Sequence, residues 1–285
     1  MNRLLFRLDP NPQNLFIEAE SFVDKQKGIL LIDDSTLDKP YARKIELVTR
    51  HGSGKHRKVV SGINLITLLW TDGDSHIPCD YRLYDKANDG LSKNDHFQSM
   101  IATAYARGFT PQCVVFDSWY SSLKNLKTIR SYHRRWLTQL KSNRLVSIDN
   151  QGNRQVCQQP IGESGTVVHL KGYGLIKVFK VVSPNGDSEY WATNDLMMNE
   201  LQRLIYAEWS WTIEEYHRGI KQFVGVEKAF VRGNRAQRNH IGFALRAFLR
   251  IERYSFSTGY SWFEAKFSII REAVRLYLSN PTYTL

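Results

Sequence analysis

The 285-residue sequence predicts an α/β fold: a mixed β-sheet flanked by helices, with a β-rich insertion ahead of a late amphipathic helix. Three observations carry this. Through the first half, apolar runs of strand length alternate with segments of helical periodicity, in the order β-β-β-α-β-α-β, which needs a mixed sheet. Residues 145–190 leave that rhythm for short alternating stretches broken by the turns DNQGN, GESG and SPNGD. The last third returns to helical spacing.

Residues 1–27 are expected to be helical in part, with DPNPQ as a turn. The main sheet and its helices occupy 28–144. Gly28 opens GILLIDDST, whose four apolar residues Ile29 to Ile32 mark a buried strand closed by Asp33 and Asp34. A basic loop, TRHGSGKHRK, leads to a long second strand over 59–70, and IPCDYRLYD is the third. Phe97, Ile101, Ala104 and Tyr105 give a helix over 94–108, capped by Asn94 and stopped at Gly108. QCVVFDSWY is a short strand ending on Asp117; SSLKNLKTIRSYHRR is a helix capped by Ser121 or Ser122, and WLTQLK a further strand. The insertion, 145–190, is expected to lie outside the main sheet. The remainder, 191–285, should hold helices over 197–223, 236–255 and 261–279. The second of these is expected to be mostly a packing helix, with Arg238, Arg246, Arg250 and Arg253 giving it a basic outer face that could lie along DNA.

Charge narrows the function. Lys and Arg number 39 against 28 Asp and Glu, a formal +11, which suits a polyanionic partner; seven Trp and fourteen Tyr offer faces for bases. No apolar run reaches the ~18 residues of a membrane span, and the N-terminal stretch lacks the apolar core of a signal peptide. Cys79, Cys113 and Cys157 lie far apart, so neither a disulfide framework nor structural zinc is indicated, and a reduced, cytoplasmic setting is expected. GSGK at 52–55 lacks the spacing of a phosphate-binding loop and reads as a basic loop.

The acids carry the chemistry. ILLID and CVVFD each end a continuously apolar strand on an aspartate, at the edge of the sheet. In WTIEEYHRGIKQ, the seam Trp209, Ile213, Tyr216, Ile220 and Phe223 is buried, and Glu214 lies one residue off it, sharing a face with His217, Arg218 and Lys221. For an isolated helix the plain reading is a surface Glu214–Arg218 pair, worth ~0.3–0.5 kcal/mol. Two strand-end aspartates beside that helix favour a three-carboxylate cluster instead. Such a cluster stays ionised only around a cation, and magnesium suits hard oxygen ligands and phosphate. Three carboxylates in a basic protein point to phosphoryl transfer on nucleic acid.

LLIDDSTLDKPY, VVFDSWYSS and WTIEEYHRGIKQ resemble the three acidic motifs of DDE transposases of the IS4/IS701 type, and the resemblance spans nearly the whole chain. It implies an RNase H-like fold and a β-rich insertion before the glutamate helix. It also implies two Mg2+ (or Mn2+) ions and cut-and-paste movement of a DNA element. Double-stranded DNA, as element ends and target, would be the partner, bound by a homodimer near a bacterial nucleoid. By the same resemblance Asp117 and Glu214 are the second and third acids. Asp33 or Asp34 is the first, Asp33 being preferred because it directly follows the apolar run. Lys221 is implied as a phosphate contact; Arg218 and Arg232 are further candidates from this chain's own sequence, and His217 reads equally as a core histidine or as a phosphate contact beside Glu214. Two departures stand out: Tyr206 is one position out and Ser210 replaces an expected arginine, and little chain precedes Asp33. The rival expectation is a truncated, non-catalytic copy that only binds DNA or interferes with a full-length partner.

Overall fold

The computed structural model describes residues 2–53, 58–149, 151–183 and 185–281. Helices α1 (Asn2–Arg7) and α2 (Gln13–Ala19) precede the first strand. That strand, β1 (Ile29–Asp38), starts from Gly28, whose φ of +68° favours glycine; a Cβ there would also stand 2.4 Å from the Thr71 carbonyl oxygen. Ile29 to Ile32 are buried, as their apolar run predicts. The strand does not close at the acids, however. It runs on to Asp38 because all ten residues pair antiparallel with β3 (Lys58–Thr71). The basic stretch read as a loop is in part β2 (Thr49–Ser53), which pairs with the first half of β3; Gly54 to Arg57 lie outside the described residues. β4 (Ile77–Leu83) takes the second half of the same edge.

After the single turn α3 (Lys86–Asp89), helix α4 (Lys93–Ala106) starts one residue before the expected one. Ser92, not Asn94, is its cap, because Ser92 and Asp95 satisfy each other's backbone N–H groups. β5 (Cys113–Phe116) runs parallel to β1, but only along Ile29–Ile32. α5 (Leu123–Ser131), capped by Ser122, returns the chain to β6 (Trp136–Leu140), parallel to β5. An antiparallel set, β4-β3-β1, thus continues into a parallel one, β1-β5-β6, the RNase H-like mixed sheet that the resemblance implied.

The insertion forms the expected short strands: β7 (Leu145–Ser147), β8 (Arg154–Gln155), β9 (Thr166–Leu170), β10 (Gly174–Val182) and β11 (Ser188–Thr193). Their expected place outside the main sheet is wrong. β11 pairs antiparallel with β6, Tyr190 opposite Leu140, and the sheet continues as β6-β11-β10-β9-β7-β8. The outer edge of β6 would otherwise present unpaired backbone groups, and β11 satisfies them.

The helix expected over 197–223 is two. Asn199 caps α6 (Glu200–Ser210), and α7 (Thr212–Gln222) starts beyond Trp211. Ser210 Oγ donates to Ala207 O, Thr212 Oγ1 donates to Trp209 O, and the amides of Trp211 and Glu214 bond three residues back. Hydroxyl back-bonding and tightened turns of this kind bend a helix. α8 (Asn234–Thr258) and α9 (Trp262–Ser279) complete the chain. α7 packs on β1 and α8, and Gly219 permits the approach, since a Cβ would stand 2.6 Å from the Phe248 ring. Ile213, Tyr216 and Ile220 are buried in that contact, each contributing roughly 1.5–3 kcal/mol. α8 is mostly a packing helix: Arg246 bonds Glu18 on α2 and Arg238 Nη2 lies 3.0 Å from Asp85 Oδ2, while Arg250 and Arg253 stay exposed on its outer face.

Candidate active site

Consecutive side chains on a strand point to opposite faces of the sheet, and β1 uses this to separate its two acids. Asp33 faces α7, where His217 Nδ1 lies 3.8 Å from Asp33 Oδ2. Asp34 faces α4. Lys93 Nζ donates to its Oδ2 at 2.7 Å, Asn64 Nδ2 donates to the same atom at 2.6 Å, and the Tyr120 hydroxyl donates to Oδ1 at 2.8 Å. Burial opposes the Asp34 charge, but the Lys93 ammonium and these donors outweigh it and hold its carboxyl below the usual range. Every oxygen of Asp34 is occupied in holding β1, β3, α4 and the segment after β5 together.

Asp117 follows β5 directly. Ile32 pairs with Phe116 in the parallel register, so Asp33 and Asp117 come next on neighbouring strands, which are spaced ~4.8 Å apart. Asp117 Oδ1 accepts from the amides of Trp119 (3.0 Å) and Tyr120 (3.3 Å), a turn that leaves its other oxygen without a hydrogen-bond partner among the described residues. Glu214, on the first turn of α7, is exposed, and its carboxylate has neither hydrogen bond nor ion pair there.

Asp33, Asp117 and Glu214 line one cleft of about 350 Å³, walled by Gln139, Trp191, Ser210 and Trp211. Ser210, standing where the family arginine was expected, thus faces the acids. Loss of hydration raises the Asp33 pKa well above the usual carboxylate range, and the charges of Asp34, Asp117 and Glu214 raise it further. Asp117 is raised as well, first by desolvation and then by Asp34, against the amides of Tyr120 and Trp119. Carboxylates that repel one another this way ionise together only when a cation intervenes. Among the described residues no three His, Cys, Asp or Glu side chains are drawn in closely enough to hold a metal ion as they stand. The donors nevertheless fit a hard divalent cation: three carboxylates on one cleft, with exposed Glu214 free to reorient toward the other two.

The other candidates lie apart from the cleft lining. His217 is buried, and burial followed by the Lys221 charge pushes its pKa down to about 3, so it is neutral at pH 7 and faces Asp33 instead of solvent. Lys221 Nζ donates to Thr36 O at 2.6 Å and stands 3.2 Å from Glu227 Oε1, pinning α7 to β1. Arg218 is exposed and lies 3.8 Å from Glu215, so the Glu214–Arg218 pair considered from sequence is not formed. Arg232 is exposed on the rim of a separate groove. Sequence reasoning missed the partners of Glu215: His76 Nε2 at 3.1 Å, with Glu252 on the other ring nitrogen at 3.0 Å. His76 sits in a turn far from both glutamates in sequence, and no local pattern marks it.

A family model described as "DDE superfamily endonuclease" matches residues 7–165, and one described as "Archaeal putative transposase ISC1217" matches residues 92–261, each more than half of the chain. No curated protein matches. Among solved structures, the piggyBac transposase synaptic complex with hairpin DNA superposes with a TM-score of 0.52 at 12% identity, over 91% of this chain and 55% of that one. This chain therefore spans about half the length of that transposase, and the likeness is one of fold. The Drosophila P element transposase strand transfer complex aligns over 93% of this chain and 54% of that one at 12% identity, with a TM-score of 0.23, too low to bear on the fold.

Proposed function

The chain belongs to the DDE superfamily of endonucleases and transposases, and on that premise we propose that it cleaves and rejoins DNA in cut-and-paste transposition. The observation that carries this reading is the meeting of Asp33, Asp117 and Glu214, from two adjacent strands and a helix, on a single cleft in which the Asp33 and Asp117 carboxyls are pushed up in pKa. These three would hold two Mg2+ or Mn2+ ions. When bound, such ions make a water or a 3′-hydroxyl nucleophilic and stabilise the departing oxygen of a phosphodiester.

The chain's own groups do the rest. Neutral His217 packs beside Asp33 and supplies no positive charge to it, which leaves a cation as the partner that would ionise the carboxylate. The amides of Trp119 and Tyr120 fix one oxygen of Asp117 and so orient the other. Lys221 fixes the far end of α7 and with it the direction of Glu214. Exposed Arg218, one turn beyond Glu214, now turned to Glu215, is a cation that could swing to a phosphate entering the cleft. Double-stranded DNA, as element ends and as target, is the substrate on this reading. The net charge of +11 supports it, as does the requirement to act on two ends, for which a homodimer is the simplest assembly.

Nicking of a supplied element-end duplex in Mn2+, with wild type against Asp117→Ala, tests the reading. Metal-dependent nicking by the wild type alone is expected. Equal nicking by both would remove Asp117 from the mechanism, and none by either would leave a DNA-binding copy without catalysis.

A further inference from the structure

A second groove, about 460 Å³, lies beyond the C-terminal end of β1 and is lined by the segments 38–45 and 227–232. It is built, not incidental. The Asp38 amide donates to Glu227 Oε1 at 3.0 Å, buried Lys39 donates to the carbonyls of Glu227 and Ala229, and the Glu46 amide donates to Arg232 O at 3.1 Å. These contacts and Lys221 occupy the Glu227 carboxylate, while Asp38 enters them through its amide and is half-buried. What the groove presents outward is different: Tyr41 is 94% exposed and Phe230 is 92% exposed. Exposed Arg43, Lys44 and Arg232 stand around them, with no acidic partner among the described residues. Two aromatic rings left in water among unpaired cations gain nothing for folding, since they bury no surface. They are the parts of a site that stacks on a base and neutralises its phosphates.

The groove is also in line with the cleft. Asp33 and Asp38 are five residues apart on β1, about 17 Å at the rise of a strand. α7 runs the same way: Glu214 lines the cleft, and Lys221, two turns on along the same face, meets Glu227 at the groove. DNA advances ~3.4 Å per nucleotide step in a duplex strand, so the groove lies about five steps from a phosphate held at Asp33. We propose that the groove of Tyr41 and Phe230 takes an unstacked base of gapped duplex DNA, about five base-pair steps from the reacting phosphate, with Arg43, Lys44 and Arg232 on the flanking phosphates. The proposal rests on DNA being the substrate, but not on cleavage.

Binding of the full chain to three DNAs tests it in the absence of divalent metal. These are a duplex, the same duplex with a two-nucleotide gap, and the gapped duplex carrying 2-aminopurine opposite the gap. Stacking of one base on an aromatic ring corresponds to roughly 5- to 150-fold in affinity. The wild type should therefore favour the gapped over the intact duplex within that range and quench the 2-aminopurine emission. Tyr41→Ala/Phe230→Ala should lose both the preference and the quenching. Because both rings are almost wholly exposed, its thermal unfolding should match wild type, which separates lost stacking from lost folding. No preference in the wild type, or an undiminished preference in the double variant, overturns the proposal. Gap preference in a protein that never nicks would instead refute the catalytic reading while leaving the groove as assigned. Nicking without gap preference would do the reverse.

Discussion

Nε2 of His76 stands 3.1 Å from Oε2 of Glu215, and Nδ1 of the same ring stands 3.0 Å from Oε1 of Glu252. One imidazole thus ties the turn after β3 to α7 and α8, and Trp262 Nε1 on α9 donates to the other Glu252 oxygen. Neighbouring residues on a helix point ~100° apart. Holding Glu215 on the His76 side turns Glu214 toward Asp33 and Asp117. The adjacent glutamates divide the work: one orients the helix, the other faces the cleft.

Exchanging each glutamate separates these parts. Glu214→Gln is expected to lower metal-dependent nicking by at least about a hundredfold, beyond the 10- to 100-fold usual for outer-shell partners of a metal, while DNA binding holds or tightens as a negative charge leaves the cleft. Glu215→Gln should keep nicking within about tenfold and lose at most ~1 kcal/mol of stability, since its side chain is 42% exposed. Nicking assays beside thermal unfolding decide it; the reverse pattern would mean that Glu215, not Glu214, serves the cleft.

The same relationship predicts a pH dependence. Burial works against the protonated His76 ring, but Glu252 and Glu215 outweigh it and raise its pKa above the ordinary value. A raised histidine stabilises fully below its unfolded value, ~6.5, and the contribution disappears as pH rises through the folded value. The difference in unfolding midpoint between wild type and His76→Gln should be widest near pH 6 and shrink toward pH 9. A constant difference across that range would show that the ring is neutral throughout.

Asp34 is expected to matter for stability. Removing one partner of a buried, hydrogen-bonded ion pair costs about 3–5 kcal/mol, and the 18% exposure of Asp34 places Asp34→Ala near the lower end. Its carboxyl is held below the unfolded value, so its contribution is present above that value and is lost as pH falls through the lowered one. Denaturant unfolding at pH 7 and pH 3 measures both; a loss under 1 kcal/mol at pH 7 would contradict the structural role.

Asp33 should behave in the opposite way. In the metal-free protein Asp33→Asn removes a carboxylate crowded by three others, so its unfolding midpoint at pH 8 should exceed that of wild type. Mg2+ should reverse the order. A cation at a hundred times its dissociation constant adds about 2.7 kcal/mol to the wild type, whereas Asp33→Asn should respond weakly. An equal response of both proteins to Mg2+ would place the ion elsewhere.

Much of this was legible locally. The apolar runs of β1 and β5, the turn-rich strands of 145–190 and the buried seam of α7 are written in neighbouring residues. What escaped depends on distant ones. β1 runs past its acids because β3 is long enough to pair with all of it, and β2 forms because the near half of that strand's outer edge is open to it. The insertion joins the sheet because β6 has an edge to cover. The α6–α7 break is local in cause, yet the hydroxyls of Ser210 and Thr212 beside an unbroken apolar seam give no pattern that spacing detects. At the cleft, the lining acids Asp33, Asp117 and Glu214 stand out in the sequence by their places beside apolar runs. The ties of Asp34 do not, since Lys93, Asn64 and Tyr120 each lie far along the chain.

The most direct test of the three-carboxylate account replaces an oxygen ligand by sulfur. Thiolate binds Mg2+ poorly and tolerates softer ions better. With element-end DNA, Asp117→Cys should be silent in Mg2+ and regain at least about tenfold in Mn2+, while wild type nicks in both. Nicking by Asp117→Cys in Mg2+ at the wild-type rate would contradict the account.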